Sequence, residues 1–227
     1  MRNHQVRDLL GKIESDCVQS QSYTGIPCFA QRVMAAIAEV PREAFVPSDM
    51  RPWAYANRPL PIGHGQTISQ PYIVALMTHL LHPKPDDVML EIGAGSGYQA
   101  AVLSRLIKKL YTLEIVPELV TEARKKLEQL GYDNVEVQQG DGAMGWPEHA
   151  PYDGIIVTAA AEEIPQSLID QLKPGARLVI PIGLPQGMQN LVLVEKDEQG
   201  SLHRRNILPV AFVPFTGADG QESVAEP

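Results

Sequence analysis

From residue 88 onward, short apolar runs alternate with longer segments whose apolar residues recur at helical spacing. The runs are rich in β-branched residues, as expected of strands that are buried on both faces. We predict strands at 88–92, 110–115, 135–138, 154–158, 177–180, 191–194 and 210–213. This alternation is typical of an α/β fold in which helices cover a mostly parallel sheet.

The segment between the second and third predicted strands has a clear helical pattern. Pro117 stands at the first helical position, apolar residues follow at helical spacing, and Gly131 ends the helix. The last predicted strands lie closer together, with residues 197–200 as an obvious turn between two of them. Because so short a connection favours antiparallel neighbours, we predict that the sheet ends in an antiparallel hairpin.

The first third of the chain differs from the rest and is interpreted as a helical cap, not as a second full domain. Helices are predicted at 3–14, 30–40 and 70–81, with a proline-punctuated stretch at 41–61. We therefore predict a single domain over 1–217. Its cap and a polar loop occupy 1–82, its sheet core occupies 83–217, and a loose tail follows at 218–227.

Composition and charge narrow the possible classes of protein. The 227 residues are 44% hydrophobic and 20% charged, which is typical of a globular protein and excludes a disordered chain. The formal net charge is −8. Because nucleic acid binding depends largely on clustered Lys and Arg, we expect no nucleic acid partner.

The cysteines and the first residues bear on the cellular compartment. Cys17 and Cys28 have neither a CxxC spacing nor a set of histidine partners, so we expect reduced thiols and no metal site. Residues 1–10 carry several charges and no apolar run, so neither a signal peptide nor a membrane span is expected. The sequence thus indicates a cytoplasmic protein.

A glycine-rich loop follows the first predicted strand. Residues 91–98 read EIGAGSGY, and a helix is predicted directly after them at 99–107. The order of strand, glycine loop and helix is typical of a site for a nucleotide-type cofactor, because glycine permits tight turns and close approach of the backbone. Starting at Gly93, the dinucleotide pattern fails at Tyr98; starting at Gly95, it fits with Ala100 in the last place. The loop alone does not decide between a dinucleotide and another adenosine cofactor.

Two further positions change this picture. Glu114 ends the second predicted strand, where a carboxylate can accept hydrogen bonds from both ribose hydroxyls. The turn of Gly140, Asp141 and Gly142 follows the third strand and can present a carboxylate and backbone amides to an adenine edge. Together with the leading Glu91, these residues resemble the first three motifs of the S-adenosylmethionine-dependent methyltransferases.

The segment before the glycine loop carries a more specific resemblance. Residues 60–71 read LPIGHGQTISQP, with Tyr55 ahead of them, and this string resembles the signature of the protein-L-isoaspartate O-methyltransferases. The likeness continues through the glycine loop to residues 151–153, 159–161, 171–175 and 212–214, and so covers most of the chain from residue 30 onward.

The resemblance implies a Rossmann-like methyltransferase fold with seven strands and S-adenosyl-L-methionine as the cofactor. It implies methyl transfer to the free α-carboxylate of L-isoaspartyl residues in damaged proteins and peptides. The methyl ester then cyclises unaided to a succinimide, whose hydrolysis returns some normal aspartyl residue. The implied protein is monomeric, and its partners are isoaspartyl-containing proteins and peptides.

The resemblance also assigns residues to the site. Ser69 matches the family's active-site serine. The implied cofactor-binding residues are Glu91, Gly93, Gly95, Gly97, Glu114, Asp141 and Gly142, and the implied substrate-binding residues are Ile62, Gly63 and Thr67. One departure concerns position 57, where this chain has Asn and many family members have Asp; a possible loop contact is therefore in doubt.

The chemistry of the acceptor suggests what Ser69 does. A carboxylate with a reference pKa near 4 is already an anion at neutral pH, so no base is needed. We hypothesise that the Ser69 hydroxyl donates a hydrogen bond that fixes the acceptor, with assistance from Thr67 and backbone amides. Two alternatives stay open: Ser69 as the N-cap of the next helix, and a methyltransferase that acts on small molecules.

Overall fold

The computed structural model describes residues 2–184 and 187–217, and its elements alternate largely as the sequence predicts. The helices are α1 (Arg2–Thr24), α2 (Gln31–Glu39), α3 (Pro71–Leu81), α4 (Tyr98–Ser104), α5 (Pro117–Gln129) and α6 (Gln166–Asp170). The strands are β1 (Leu60–Gly63), β2 (Gln66–Ile68), β3 (Val88–Ile92), β4 (Lys109–Glu114), β5 (Val135–Gln139), β6 (Tyr152–Val157), β7 (Leu172–Gly183), β8 (Gln189–Lys196) and β9 (Leu202–Val210). Short 3-10 turns occur at Arg42–Phe45, Arg51–Trp53, Gly142–Met144 and Pro147–His149.

The main sheet has seven strands in the order β5-β4-β3-β6-β7-β8-β9. The pairs from β5 to β7 are parallel, whereas β8 is antiparallel to both β7 and β9. The predicted mostly parallel sheet with an antiparallel end is therefore confirmed. The chain runs from β3 outward to β4 and β5, and then returns to β6 on the other side of β3.

Helices cover both faces of this sheet, and alternate residues of one strand enter different apolar clusters. Met89 of β3 belongs to the cluster that contains the cap helices, whereas the adjacent Leu90 belongs to a second cluster with α6. Side chains alternate between the faces of a strand, so this division shows that both faces are buried. Four of the five residues of β3 are apolar, in keeping with this burial, and the exception is Glu91.

The cap packs directly on the sheet. The first cluster includes Leu9 and Ile13 of α1, Val33 of α2, and also Ile156 and Val179 from the middle of the sheet. One apolar core is therefore continuous from α1 to β7, and the division of the chain into a single domain over 1–217 and a tail stays a prediction. The predicted loose tail at 218–227 lies outside the described residues. In the part of the chain that the structure describes, no helix is long and apolar enough to span a membrane.

Two predicted boundaries are wrong at the ends of the chain. The first helix extends to Thr24 because its buried face continues through Cys17, and it ends before Gly25, whose φ is +71°. The last strand is β9 at Leu202–Val210, not 210–213. β9 is an edge strand whose residues 202–206 are exposed, so its sequence lacks the apolar pattern of the buried strands.

The polar loop at 60–71 contains a small hairpin that the sequence analysis did not predict. β1 and β2 are antiparallel and are joined by His64 and Gly65, which both have positive φ. Positive φ at both central residues is the requirement of a type I′ turn, the turn that suits a two-residue hairpin. His64 is exposed at the tip of the hairpin. The short helix α6 was also not predicted.

Candidate active site

A cleft lies at the carboxyl edge of the sheet, where β3, β4 and β6 end side by side. Its empty space is about 790 Å³, part of it open to solvent. Ligands of open α/β sheets bind at this edge, where the strand order reverses around the first strand. The cleft is lined by residues 66–69, 92–96, 113–116, 158–159 and 213–216, together with Val74, Tyr98, Gln99, Gly140 and Gly142.

The predicted glycine loop forms one wall of the cleft. Gly93, Gly95 and Gly97 have φ of +92°, +52° and +86°, a region that residues with a Cβ rarely adopt. A Cβ on Gly93 would clash with Thr158 Oγ1, which donates a hydrogen bond to the Gly93 carbonyl at 2.6 Å. The loop therefore requires glycine both for its backbone conformation and for its contact with β6.

Glu114 holds the glycine loop against the end of β4. Its Oε2 accepts a hydrogen bond from the Gly95 N–H at 2.8 Å, and its Oε1 accepts bonds from the N–H groups of Ile115 and Val116 at 2.9 and 3.0 Å. A carboxylate has about four acceptor sites, so these three bonds leave capacity for a further donor. Glu114 also lines the cleft, so a ribose hydroxyl is a suitable additional donor.

The predicted turn after β5 reaches the cleft through Gly142 and not through the Asp141 side chain. Gly142 lines the cleft, and a Cβ at this position would clash with Ile92 Cγ2. Asp141 is not among the lining residues; its Oδ1 accepts a hydrogen bond from the Ala143 N–H at 2.8 Å and so caps the 3-10 turn. The predicted contact of Asp141 with a cofactor stays a prediction.

A second cavity of about 910 Å³ adjoins the first. It is lined by Pro59, Gln70, Ile73, the segment 209–213, and four residues that also line the cleft: Thr67, Ser69, Thr158 and Val213. We call this second cavity the groove. The two cavities therefore meet along a common wall, and the two hydroxyl-bearing residues of the polar loop stand in that wall.

The structure separates the predicted site residues of the polar loop into two groups. Ser69 and Thr67 line both cavities, whereas Ile62 and Gly63 line neither. Ile62 is instead buried, and its Cδ1 lies 3.7 Å from the position that a Cβ on Gly95 would occupy. Ile62 therefore contacts the glycine loop, and the predicted contacts of Ile62 and Gly63 with a substrate stay predictions.

The alternative that Ser69 caps the next helix is wrong. The N-cap of α3 is Gln70, and no side chain forms a capping hydrogen bond there. Within the described residues, no hydrogen bond engages the Ser69 hydroxyl, which is thus available as a donor in the common wall.

Asn57, the position in doubt, does form a loop contact: its amide donates to Asp16 at 2.8 Å, and its oxygen accepts from the Tyr72 N–H at 3.0 Å.

Glu91 does not reach the cleft, contrary to its predicted contact with the cofactor. Its side chain is fully buried in the sheet, where Oε2 accepts a hydrogen bond from the Thr112 hydroxyl at 2.6 Å and Oε1 has no partner. Burial raises the pKa of Glu91 to about 8, against the opposing effect of the Thr112 bond, and the Glu114 charge adds to the rise. Glu91 is therefore mainly protonated at neutral pH.

The sequence analysis missed several residues of the common wall and its surroundings. Thr158 directly follows β6, and its position at the carboxyl end of a strand was a signal that could have been used. The segment 211–216 was assigned in part to a strand, but it lines the cavities instead. Hydrogen bonds from the Ala160 N–H to the Val213 carbonyl and from the Phe215 N–H to the Ala160 carbonyl hold it there, and no local pattern indicates them.

The residues of the cleft fit an adenosine-type group. Glu114 offers carboxylate oxygens to ribose hydroxyls, the glycine loop allows close approach of backbone, and apolar side chains such as Leu113 and Phe215 can contact a purine. The adjoining groove would then receive the second reactant.

The buried Glu91 generates a prediction about stability and pH. The unfolded chain ionises Glu91 near its ordinary value of 4.5, whereas the folded chain retains the proton up to about 8. Between these values the unfolded state gains ionisation free energy that the folded state does not, so Glu91 costs stability as pH rises. We expect Glu91→Gln to have the same free energy of unfolding as the wild type at pH 4. Between pH 4 and pH 8, its advantage in free energy of unfolding over the wild type should grow by at most about 1.4 kcal/mol per pH unit.

Urea unfolding at several pH values measures this difference. The exposed Glu162→Gln is the matched control, and its stability should follow the wild type throughout. If Glu91→Gln instead becomes less stable than the wild type as pH rises, the buried carboxyl is ionised in the folded protein.

Comparison with known proteins relates this geometry to a family. The family model described as protein-L-isoaspartate(D-aspartate) O-methyltransferase matches residues 15–220. A protein-L-isoaspartate O-methyltransferase 2 from Polaromonas sp. is 58% identical over 199 residues, which are 88% of this chain and 94% of the relative. A protein of the same name from Nitrosococcus oceani is 55% identical over 217 residues, 96% of this chain and 98% of the relative.

Solved structures agree with this result. A protein-L-isoaspartate O-methyltransferase superposes with a TM-score of 0.82 at 29% identity, covering 97% of this chain and 67% of that one. A structure from Plasmodium falciparum, described as a beta-aspartate methyltransferase in complex with S-adenosyl-L-homocysteine, has a TM-score of 0.73 at 23% identity and covers 92% and 97% of the two chains; it supports the fold. The chain with the joined cleft and groove therefore belongs to the protein-L-isoaspartate(D-aspartate) O-methyltransferase family.

Proposed function

We propose that this chain methylates the free α-carboxylate of L-isoaspartyl residues in damaged proteins and peptides, with S-adenosyl-L-methionine as the methyl donor. The observation that carries the proposal is the common wall, in which Ser69 and Thr67 face both the cleft and the groove. A transferase needs two binding sites that meet where the group is transferred. The membership of the family supports the same activity.

The cofactor is assigned to the cleft. Glu114 would accept hydrogen bonds from the ribose hydroxyls, and the backbone of the glycine loop at Gly93 and Gly95 would lie against the cofactor. Gly97 lines neither cavity, and its predicted contact with the cofactor stays a prediction. Gly142 and Asp141 would stand near the adenine. When bound, S-adenosyl-L-methionine supplies an electrophilic methyl group next to the common wall.

The acceptor carboxylate is assigned to the common wall. It is an anion at neutral pH and needs no general base, so the protein's task is to orient it and to limit competition from water. The Ser69 hydroxyl, which has no partner within the described residues, donates a hydrogen bond to one carboxylate oxygen. Thr67 contributes a second hydroxyl from the same wall. The methyl ester product cyclises unaided to a succinimide, which begins repair.

The groove favours a peptide over the alternative of a small-molecule acceptor. It holds about 910 Å³ of empty space, part of it open to solvent, so an acceptor bound there can continue out of the protein. Its wall includes the exposed Pro209, which belongs to the edge strand β9, and the exposed Ala211, which follows that strand. A small acceptor would leave most of this space unfilled, whereas flanking residues of a peptide can occupy it.

We further propose that the protein acts as a monomer in the cytoplasm, without a nucleic acid or membrane partner. Cys17 and Cys28 are both free thiols, and Cys28 is exposed, which is consistent with a reducing compartment. The net charge of −8 supports the absence of nucleic acid binding. Size-exclusion chromatography with light scattering tests the monomeric state.

The substrate assignment predicts the outcome of methyl transfer to a matched pair of peptides. One peptide carries an isoaspartyl residue and the other a normal aspartyl residue at the same position. We expect base-labile label from S-adenosyl-L-methionine on the isoaspartyl peptide alone, because only that linkage places a free α-carboxylate at the common wall. Equal labelling of both peptides, or of neither despite cofactor binding, would reject the substrate assignment.

The role of Ser69 predicts a separation of turnover from cofactor affinity. Ser69→Ala should lower kcat/KM for the isoaspartyl peptide by about 10- to 100-fold, because one hydrogen bond to a charged acceptor is worth roughly 1.5–3 kcal/mol. The Kd of S-adenosyl-L-methionine, measured by calorimetry, should change little. Glu114→Gln should give the opposite pattern and weaken the cofactor first.

Ser48→Ala is the control for Ser69→Ala, since Ser48 is exposed and lines neither cavity. It should retain wild-type rates. A Ser69→Ala variant that loses cofactor affinity and turnover to the same extent would indicate that Ser69 only supports the loop.

A further inference from the structure

Arg42 is a fully buried cation beside the site, and neither the sequence motifs nor the proposed mechanism uses it. It begins the 3-10 turn Arg42–Phe45 in the cap. Buried arginines are usually paired with carboxylates, because the cost of removing a charge from water is large. Within residues 2–184 and 187–217, Arg42 forms no ion pair.

The guanidinium of Arg42 instead contacts three separate parts of the fold. Its Nη2 donates a hydrogen bond to the Ser69 carbonyl at 2.8 Å, and its Nε donates to the Ala54 carbonyl at 2.9 Å. Its Cζ lies 4.7 Å from the centre of the Tyr98 ring, at the start of α4. One planar group thus connects the cap, the residue whose hydroxyl is the proposed donor, and the helix that follows the glycine loop.

We propose that Arg42 is a positioning residue for methyl transfer, which holds the backbone of Ser69 so that its hydroxyl is correctly placed against the cofactor cleft. The inference rests on the proposed function. Tyr98 lines the cleft and Ser69 lines both cavities, so the guanidinium fixes the acceptor side relative to the cofactor side. Arginine suits this role because its donors have a fixed planar geometry, whereas the lysine ammonium is a point charge on a flexible stem.

Energetics support a role beyond stability. A buried charge that is not neutralised by an acid lowers stability relative to an apolar side chain of similar volume. The contacts of Arg42 converge on the segment that presents Ser69, and a displacement of about 1 Å in a reacting group can cost roughly 100-fold in rate. A shift of the Ser69 backbone after loss of the Arg42 bond would therefore move the Ser69 hydroxyl relative to the cleft.

The test combines Arg42→Lys with Ser69→Ala in the full-length protein. We expect Arg42→Lys to lower kcat/KM for the isoaspartyl peptide by about 10- to 100-fold, mainly through kcat, with less than about a threefold change in the Kd of S-adenosyl-L-methionine. If Arg42 acts through Ser69, the same substitution in the Ser69→Ala background should cost less than about threefold, since coupled residues are not additive.

Arg32→Lys is the control for the loss of hydrogen bonds from an arginine to backbone carbonyls. Arg32 also donates hydrogen bonds to two backbone carbonyls, those of Pro83 and Leu106, both at 2.8 Å, but it lines neither cavity. Its effect on kcat/KM should be small and should be additive with Ser69→Ala. Circular dichroism and thermal melting establish that each variant is folded at the assay temperature, and Arg42→Gln replaces Arg42→Lys if the latter unfolds.

The outcomes separate the inference from the proposed function. A wild-type chain inactive on isoaspartyl peptides would reject the proposed function. With an active wild type, additive losses from Arg42→Lys and Ser69→Ala, or an equal loss of cofactor affinity, would reject the positioning role of Arg42. If both Arg42→Lys and Arg42→Gln fail to fold, Arg42 is a structural residue and the inference is rejected as well.

Discussion

Parallel pairing of β3 with β4 on one side and β6 on the other brings the carboxyl ends of three strands to one edge of the sheet. Every part of the site depends on this arrangement. β3 leads into the glycine loop, β4 ends at Glu114, and β6 ends next to Thr158. Hydrogen bonds from the Gly95 N–H to Glu114 and from Thr158 to the Gly93 carbonyl then fix the loop between its two neighbours.

The cap supplies the other half of the site. Residues 66–69 approach the cleft from outside the sheet, and the segment 211–216 closes it after β9. Neither segment belongs to the main sheet, yet together they create the groove and the common wall with the cleft. The core of the fold thus provides the cofactor side, and additions before and after it provide the acceptor side. This division explains how a widespread fold acquires a particular acceptor.

Two buried ionisable groups lie close to the site, and they differ in whether they are charged at neutral pH. Burial raises the pKa of Glu91, so that it remains mainly protonated and adds no negative charge beneath the glycine loop. Arg42 is buried without an acidic partner in the described residues, and its bond to the Ser69 carbonyl places a positive charge behind the common wall. Burying an ionisable group carries a cost in desolvation, and functional sites are where proteins commonly retain such costs.

Local patterns in the sequence predicted the features that depend on local structure. The strand at 88–92 can be predicted from neighbouring residues alone, and its predicted bounds are correct. The same holds for the tight turns at the three loop glycines, which all have positive φ. Burial and long-range contacts decided the rest. The buried position of Glu91 depends on Thr112 in the next strand, and the Arg42 contact with Ser69 joins residues 27 positions apart. The edge position of β9 likewise concealed its strand character.

Methyl transfer as proposed requires the acceptor carboxylate to bind where the cleft and the groove meet. A crystal structure of the protein with S-adenosyl-L-homocysteine and an isoaspartyl peptide would locate this carboxylate. We expect an α-carboxylate oxygen within hydrogen-bonding distance of Ser69 Oγ, about 2.6–3.2 Å, while the Ser69 carbonyl remains bonded to Arg42. A peptide bound outside the groove, or a carboxylate held only by residues away from the common wall, would show that the acceptor binds elsewhere.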